Sequence, residues 1–446
     1  MQQETESTGR KGQGSQDHHM KILTIVGARP NFMKVAPIIA AINKHNDRIA
    51  AGAAGQSESS TEMIQHILVH TGQHYDELMS GSFFNDLNLP KPDVHLGVGS
   101  GSHAAQTAEI MKKFEGVILA EKPDVVVVVG DVNSTIGCAL VTSKISFDSS
   151  GSRPLIAHVE SGLRSFDRSM PEEINRIVTD HVSDLLFVTE ESGIRNLSKE
   201  GVSLDRVHLV GNTMIDSLLT FKDKAEESTV CEKLGLRTGA GKNGDSNSIR
   251  PYALLTLHRP SNVDTRDGFL SILAGLEELA KDFPVVFPVH PRTRQRIKEF
   301  GLDFHAGPHA AKSKGDPEIP GNHGAGIMLT DPLGYLDFLC LMKHAAIVVT
   351  DSGGIQEETT CLGIPCVTVR ENTERPVTVE SGTNVVAGTK KEKVREAIRR
   401  QLRRKSSAAM PKNWDGKAAA RIVDILIQTH SSRNTSDQAL IPQSCV

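Results

Sequence analysis

The chain contains 446 residues, carries a formal net charge of −4 and has a pI near 6.5. Its length exceeds what one ordinary core holds, and its balanced charge, single Trp and three Tyr argue against a nucleic-acid or membrane-surface protein. The six cysteines form no CxxC pair, which argues against structural zinc and favours reduced thiols in the cytosol. We therefore expect a cytoplasmic protein of two domains that holds no metal.

The first nineteen residues are polar and lack the apolar core of a signal peptide, so we expect a disordered tail over residues 1–19. Beyond this tail, short β-branched segments alternate with segments of helical length, a pattern typical of a doubly wound parallel sheet. A first domain is predicted over residues 20–215. Its predicted strands are residues 22–26, 64–70, 125–129, 155–159, 185–188 and 207–210.

A second series of the same kind predicts a second domain over residues 216–412. Its predicted strands are residues 253–257, 285–289, 326–329, 346–349, 366–369 and 385–387. A polar, Gly-rich stretch at residues 232–250 lies near the domain boundary, and the polar stretches 47–61 and 307–324 are interpreted as surface insertions. Residues 430–446 are polar and are expected to form a loose tail.

Charged and polar residues stand at the carboxyl ends of the predicted strands in both halves. Ligands of open α/β sheets bind beyond those ends, so two sheets that face each other would form one cleft lined by acids, histidines and arginines. Each of these residues alone could cap a helix or be a hydrogen-bonded polar residue of a loop. Because so many strand ends carry a charged residue, a ligand site is favoured over capping.

The stretch TDSGGIQEE, residues 350–358, follows an apolar strand and begins a helix. Ser352, Gly353 and Gly354 are small enough for a phosphate to approach backbone N–H groups at a helix N-terminus. Glu357 and Glu358 would repel that phosphate, so at least one of them is expected to face neutral hydroxyls such as those of a ribose. The stretch predicts a nucleotide diphosphate site. The alternative is an ordinary strand-to-helix turn whose acids complement the helix dipole.

Two acids end neighbouring strands of the first half. Asp131 follows five valines and a glycine, and we expect its carboxylate at the edge of a dry sheet, where desolvation raises its pKa and makes it a candidate base. The alternative is that Asp131 caps the next helix. Glu160 ends the adjacent strand, which suggests a coupled pair of acids.

Other charged groups accompany these acids. Arg29 and Lys34 lie about one helical turn apart after the first strand and are predicted to clamp an anion. Glu172 and Arg176 share a helix, where their spacing also fits an ordinary i,i+4 ion pair.

In the second half, His258 is a candidate general acid or ligand for a leaving group, and the adjacent Arg259 is a candidate phosphate clamp. His290, in PVHPR, is a similar candidate. The sequence contains no GxGxxG, no Walker lysine loop and no metal-ligand spacing of His or Cys, so neither hydride transfer nor metal chemistry is supported.

Nine sequence blocks, in order, resemble the non-hydrolysing UDP-N-acetylglucosamine 2-epimerases, and the resemblance covers about residues 20–388. The blocks are GARPNFMKVAP, HTGQHYDELM, VGDVNST, HVESGLRSFDRSMPEEINR, VGNTMIDSL, LHRPSN, PVHPR, TDSGGIQEE and RENTERP. The chain departs from the family pattern at Asp76, where a glutamine is expected, and in a shorter connection between Glu160 and Glu172.

The resemblance implies two Rossmann-like domains that face a central cleft, as in GT-B glycosyltransferases, with a C-terminal helix over residues 413–429 that crosses back to the first domain. It implies a homodimer that inverts carbon 2 of the sugar without a cofactor. UDP is eliminated to leave a 2-acetamidoglucal and then adds back to the opposite face. By matching motifs, the acid/base candidates are Asp131, Glu160 and Glu172, and His258 assists UDP departure.

The resemblance also assigns the remaining contacts. Phosphates would be held by Arg29, Lys34, Ser352, Gly353 and Gly354. Glu358 would bind the ribose with Arg375 and Arg176 in support, and Phe338 would lie near the uracil. The readings left open are a GT-B glycosyltransferase, a hydrolysing epimerase, an epimerase acting on a UDP-diacetamido-uronate, and a UDP-sugar sensor without activity.

Overall fold

The computed structural model describes residues 19–52, 62–73, 89–149, 151–237, 248–302, 326–404 and 409–439. Within these residues the chain forms two parallel sheets, of seven and six strands, with helices between most successive strands. Each sheet is doubly wound, so the predicted fold class is confirmed.

The first sheet has the strand order β3-β2-β1-β4-β5-β6-β7. Its central strands are apolar along their length and buried, as expected for parallel strands covered by helices on both faces. The strands are β1 (Met20–Val26), β2 (Ile64–His70), β3 (Val94–His95), β4 (Val125–Val129), β5 (Leu155–Ser161), β6 (Leu185–Val188) and β7 (Val207–Leu209). The helices are α1 (Arg29–Ala50), α2 (His103–Glu121), α3 (Asn133–Lys144), α4 (Pro171–Val182) and α5 (Glu191–Lys199).

The second sheet has the order β10-β9-β8-β11-β12-β13. Its strands are β8 (Ala253–Thr256), β9 (Pro284–Pro288), β10 (Gly326–Thr330), β11 (Ile347–Thr350), β12 (Cys366–Thr368) and β13 (Asn384–Val386). Helices α6 (Thr213–Phe221) and α7 (Val230–Lys233) precede this sheet. The helices that follow are α8 (Pro260–Val263), α9 (Arg266–Leu276), α10 (Leu279–Asp282), α11 (Pro291–Glu299), α12 (Tyr335–His344), α13 (Gly353–Leu362), α14 (Val377–Glu380) and α15 (Lys391–Leu402).

Every predicted strand is present, with its ends shifted by two residues or fewer. The two-residue β3 has no predicted counterpart, because so short a segment shows no periodicity. The predicted insertion 47–61 overlaps the last turn of α1, and most of it, like segment 307–324, lies outside the described residues. Of the predicted tail 1–19, only His19 is described. The boundary placed between residues 215 and 216 falls inside α6, which packs against both α1 and α13.

The last described helix, α16 (Ala418–Ala439), packs against α1 of the first domain. The carboxylate of Asp216 accepts hydrogen bonds from the backbone N–H groups of Ala418 and Ala419 in the first turn of α16. The sequence placed the end of this helix at residue 429 and a loose tail at 430–446. The structure instead continues the helix to Ala439, and His430, the first residue of the predicted tail, is buried and lies 3.5 Å from Glu62.

Among the helices that the structure describes, none combines the length and the apolar character needed to cross a bilayer.

Candidate functional site

The carboxyl ends of the two sheets face each other, and side chains cross the gap between the domains. Arg375, after β12, lies with its guanidinium 3.2 Å from the carboxylate of Glu160, near the end of β5. The Asn372 amide donates to the carbonyl oxygen of Ser165 at 3.3 Å. The two predicted edges therefore form one shared cleft.

Glu160 has an unusual backbone conformation. Its φ angle is +69°, and the pairing of β5 with β6 shifts register beside it. Irregularities of this kind redirect side chains and cost free energy, and they concentrate at functional sites. The buried carboxylate of Glu160 lies 2.7 Å from the Lys34 ammonium as well as near Arg375. Lys34, predicted as an anion clamp, thus balances the charge of Glu160 in this structure.

Asp131 lies beyond β4, and its carboxylate accepts a hydrogen bond from Arg176 Nε at 3.0 Å. The residue at the N-cap of α3 is Val132, so the capping alternative for Asp131 is not observed. Burial acts to raise the pKa of Asp131, but the charges of Arg176, Lys34 and Arg375 outweigh it and lower the pKa. The expectation of a raised pKa was therefore wrong, because desolvation was considered without the cations that gather at the cleft. Asp131 is ionised and able to accept a proton.

The first turn of α4 supplies two acids with different partners. Arg176 forms its ion pairs with Glu173 and Asp131. The i,i+4 alternative required a pair with Glu172 instead. Glu172 is half-buried and lies within electrostatic reach of Arg259 of the second domain. Glu172 therefore faces the cleft while Glu173 supports Arg176.

A buried pair that the sequence analysis missed lies behind the acids. His158, in the interior of β5, contacts Asp180 at 2.7 Å and the carbonyl oxygen of Gly130 at 2.8 Å through its two ring nitrogens. Asp180 also accepts from the backbone N–H of Gly162 at 3.1 Å. This pair fixes the backbone beside Asp131 and Glu160. No sequence signal distinguishes it from two separate buried polar groups.

In the second domain, Asp351 organises the strand end from which His258 and Arg259 project. Its buried carboxylate accepts from the backbone N–H groups of His258 and Arg259 and from the side chain of Asn262. His258 Nδ1 lies 2.9 Å from the same carboxylate, although the His258 ring is half exposed. If Nδ1 carries the proton that this contact requires, Nε2 is left to interact with a ligand.

The predicted phosphate turn forms the start of α13, with Ser352 at its N-cap. A Cβ atom on Gly353 would lie 2.4 Å from Arg375 Nη1, and one on Gly354 would lie 2.7 Å from Met214 Cε. The first turn of α13 contains no acid. Backbone N–H groups and the helix dipole are therefore available to an anion beside the Arg375 guanidinium.

Arg375 is also enclosed by Glu374, which the sequence analysis did not single out, and by Glu357, which it considered only as a partner for neutral hydroxyls. Its guanidinium lies 2.6 Å from Glu374 and 3.0 Å from Glu357. Burial raises the pKa of Glu357 to about 7 in spite of Arg375, whereas several arginines hold the pKa of Glu374 well below its usual range in spite of burial. Both acids stand next to predicted site residues in the sequence, at QEE and TERP, and that proximity was the available signal.

Glu358 follows Glu357 on α13. It is buried, and its carboxyl group lies 3.5 Å from the Tyr335 hydroxyl. Burial, with Glu357 nearby, raises the pKa of Glu358 to about 8. Phe338, on α12, is partly buried against the core. Both positions are compatible with a neutral nucleoside partner.

The remaining predicted residues have more limited roles in this structure. Arg259 Nε donates to the carbonyl oxygen of Asp351 at 3.1 Å, and its Nη2 lies 3.5 Å from Glu374. His290 is exposed and accepts at the N-cap of α11 from the backbone N–H of Arg292. Arg29 begins α1, and its side chain lies outside the described residues.

Over the part of the chain that the structure describes, no group of three or more His, Cys, Asp or Glu side chains could hold a metal ion.

Known proteins resemble this chain over most of its length. The family model described as UDP-N-acetylglucosamine 2-epimerase matches residues 57–427. A UDP-N-acetylglucosamine 2-epimerase of Methanocaldococcus jannaschii is 41% identical over 91% of this chain and 99% of its own length. A UDP-2,3-diacetamido-2,3-dideoxy-D-glucuronate 2-epimerase of Pseudomonas aeruginosa is 37% identical, again over 91% of this chain and 99% of its own.

Solved structures agree. The M. jannaschii enzyme in complex with UDP-GlcNAc and UDP superposes with a TM-score of 0.75 at 40% identity, covering 92% of this chain and 100% of its own. The Neisseria meningitidis enzyme bound to UDP-GlcNAc gives a TM-score of 0.72 at 27% identity, over 92% and 100% of the two chains. On its sequence, its two facing sheets and these similarities, the chain belongs to the UDP-N-acetylglucosamine 2-epimerase family.

Proposed function

We propose that this protein interconverts UDP-N-acetylglucosamine and UDP-N-acetylmannosamine by epimerisation at carbon 2, without a cofactor. The observation that carries the proposal is the position of Arg375, which lies against the Gly353 turn on one side and 3.2 Å from Glu160 on the other. A diphosphate at that turn would bring the attached sugar to the acids of the first domain. The relatives named for this reaction support the same substrate.

The reaction begins with removal of the proton at carbon 2 by a carboxylate. The electron pair of that C–H bond forms a double bond between carbons 1 and 2, and the bond from carbon 1 to the UDP oxygen breaks. The products are UDP and 2-acetamidoglucal. Asp131 is our candidate base, because its lowered pKa keeps it ionised. Return of a proton to the opposite face of carbon 2, with UDP adding back to carbon 1, completes the inversion. Glu160 and Glu172 are the candidates for that opposite face.

The second domain holds UDP and stabilises the charge that develops on it. The phosphates lie at the N-terminus of α13, and His258 assists departure and return of the diphosphate. Glu358 binds the ribose hydroxyls, and Phe338 lies near the uracil. The cations that neutralise the diphosphate in this proposal are Arg29, Lys34, Arg259 and Arg375, with His290 at the edge of the cleft, and Arg176 supports the site by holding Asp131.

Incubation with UDP-N-acetylglucosamine in heavy water tests this reaction directly. We expect deuterium at carbon 2 of the product and of the recovered substrate, because the abstracted proton exchanges with solvent. Turnover without deuterium at carbon 2 would contradict the proposal. Accumulation of free sugar with UDP, or transfer to an acceptor, would instead indicate a hydrolysing epimerase or a glycosyltransferase.

A second candidate substrate is a UDP-2,3-diacetamido-2,3-dideoxyglucuronate, favoured by the P. aeruginosa relative. A comparison of kcat/KM for the two sugar nucleotides under the same conditions decides between them. The proposal predicts a higher value for UDP-N-acetylglucosamine, and the reverse order would replace it with the uronate.

The proposal extends to the cell and the assembly. We place the enzyme in the cytoplasm as a homodimer that supplies sugar nucleotides for surface polysaccharides. Sedimentation equilibrium of the full chain tests the dimer, and a mass corresponding to the monomer at micromolar concentration would overturn that part.

A further inference from the structure

Phe166 is an exposed aromatic residue in a conformation that aromatic residues rarely adopt. Its side chain is 78% exposed, and its φ angle is +59°. Phe166 belongs to the connection between β5 and α4, which we call the 162–170 segment. A β-carbon disfavours positive φ, and an exposed ring recovers little free energy by packing. The conformation therefore brings no evident benefit to folding.

A buried carboxylate enforces this conformation. Glu173 accepts from the backbone N–H of Ser165 at 3.0 Å and from that of Phe166 at 2.8 Å. The same carboxylate pairs with Arg176, which holds Asp131. The backbone of Phe166 is thus tied to the group that positions the candidate base.

The 162–170 segment also contacts the second domain on both sides of Phe166. Asn372 donates to the carbonyl oxygen of Ser165, and Arg259 lies 3.7 Å from the sulfur of Met170. Glu160 and Glu172 flank the segment in sequence. Phe166 therefore lies at the entrance of the cleft, close to the part of it that would hold a sugar.

We propose that the Phe166 ring is a specificity-determining residue that packs against the sugar of the UDP-sugar and keeps the neutral glucal from leaving before UDP adds back. An aromatic ring offers the C–H groups of a pyranose and the methyl of an acetamido group an apolar surface. This inference rests on the proposed function, because it takes the sugar to lie beside Asp131.

The Phe166→Gly variant removes the ring and at the same time tolerates the positive φ, so it tests the ring without added strain. Calorimetry should show that the affinity for UDP-N-acetylglucosamine falls about five- to tenfold while that for UDP changes less than twofold. During turnover, the share of UDP released together with free 2-acetamidoglucal should rise several-fold. Phe166→Leu, which keeps an apolar side chain, should recover part of both effects.

Leu204→Ala is the matched control, since Leu204 is also exposed but precedes β7, at the opposite end of the same sheet. It should leave both affinities and the glucal release unchanged. Equal loss of UDP and UDP-sugar affinity in Phe166→Gly, or no loss of either, would overturn the inference. A change in the oligomeric mass of the protein, with both affinities unchanged, would also overturn it, because the ring would then belong to a contact between subunits. Affinity and product formation are measured in separate experiments, so failure of the proposed reaction would be distinguished from failure of this inference.

Discussion

Asp131 and Asp351 occupy equivalent places in the two sheets but have different surroundings. Each follows the strand just beyond the point where the strand order reverses, β4 beside β1 and β11 beside β8. Asp351 is fully buried, and its carboxylate accepts from two backbone N–H groups, from Asn262 and from His258. The Asp131 carboxylate is partly exposed and accepts a hydrogen bond from Arg176 Nε.

The comparison separates two uses of one strand-end acid. Both carboxyl groups have a lowered pKa although burial acts to raise it. For Asp351 the burial is outweighed by His258 and by hydrogen bonds from backbone N–H groups, and for Asp131 it is outweighed by the charges of nearby cations. A carboxylate whose acceptor positions are occupied can only shape its surroundings. One that is held by a cation on one side retains an oxygen for a substrate proton. We therefore propose that Asp351 organises the binding site and that Asp131 transfers the proton.

The largest expected effect is on turnover in Asp131→Asn. Removal of the base should lower kcat about 10³-fold, since general base catalysis contributes about 10²- to 10⁴-fold. The amide keeps the shape and leaves the second domain untouched, so UDP affinity should stay within threefold. A kcat within tenfold of the wild type would show that Asp131 is not the base.

Asp351→Ala should instead act on stability and on nucleotide binding. It leaves the backbone N–H groups of His258 and Arg259 and the Asn262 amide without their acceptor, and we expect a loss of about 3 kcal/mol in the free energy of unfolding. Urea denaturation measures it. Asp264→Ala, which removes surface pairs with Arg292 and Arg296, should cost less than about 1 kcal/mol. Equal losses in the two variants would remove the distinction drawn for Asp351.

A smaller effect should follow when Asp131 is left in place and its support is altered. Glu173→Gln keeps the volume and removes an anion that shares Arg176 with Asp131, so the pKa of Asp131 should fall, and kcat/KM should fall about tenfold because Asp131 becomes a weaker base. The acidic limb of the kcat/KM profile should move to lower pH, a change that loss of folded protein alone does not produce. Asp184→Asn, which weakens the pair with Arg153 at the opposite end of the same sheet, should leave that limb in place.

The strands and most of the cleft were predictable from sequence because each depends on local pattern. Valine-rich runs specify buried parallel strands, and the polar residue after each run has to emerge at the same edge. The family blocks then located Asp131, Glu160 and Glu172. The direction of the Asp131 pKa shift was not predictable, because it depends on cations from three separate parts of the chain.

The residues that were missed act through contacts between distant parts of the chain. His158 reads as an interior strand residue until Asp180 is placed beside it, 22 positions later. Glu374 becomes part of the site only when Arg370, Arg259 and Arg375 converge on it. The φ angle of Phe166 has no sequence signature, since an aromatic residue predicts the opposite conformation.

The smallest expected effect sharpens the comparison within the second domain, where Glu358 contrasts with Asp351. Burial raises the pKa of Glu358 to about 8, above its unfolded value near 4.5. Between these values the folded protein binds more protons than the unfolded chain, so Glu358 makes stability fall as pH rises from about 5 to 8.

Glu358→Gln removes this titration, because a glutamine stays neutral in both states. The melting temperature of the variant relative to the wild type should therefore increase by about 3 °C between pH 5 and pH 8, as followed by differential scanning fluorimetry at matched ionic strength. Glu357, whose pKa is raised to about 7, adds a decline in the same direction to both proteins, so the sign of the difference reports on Glu358. If the variant instead lost stability relative to the wild type over that range, Glu358 would be ionised in the folded protein and would belong with Asp351 as a carboxylate held in its charged form.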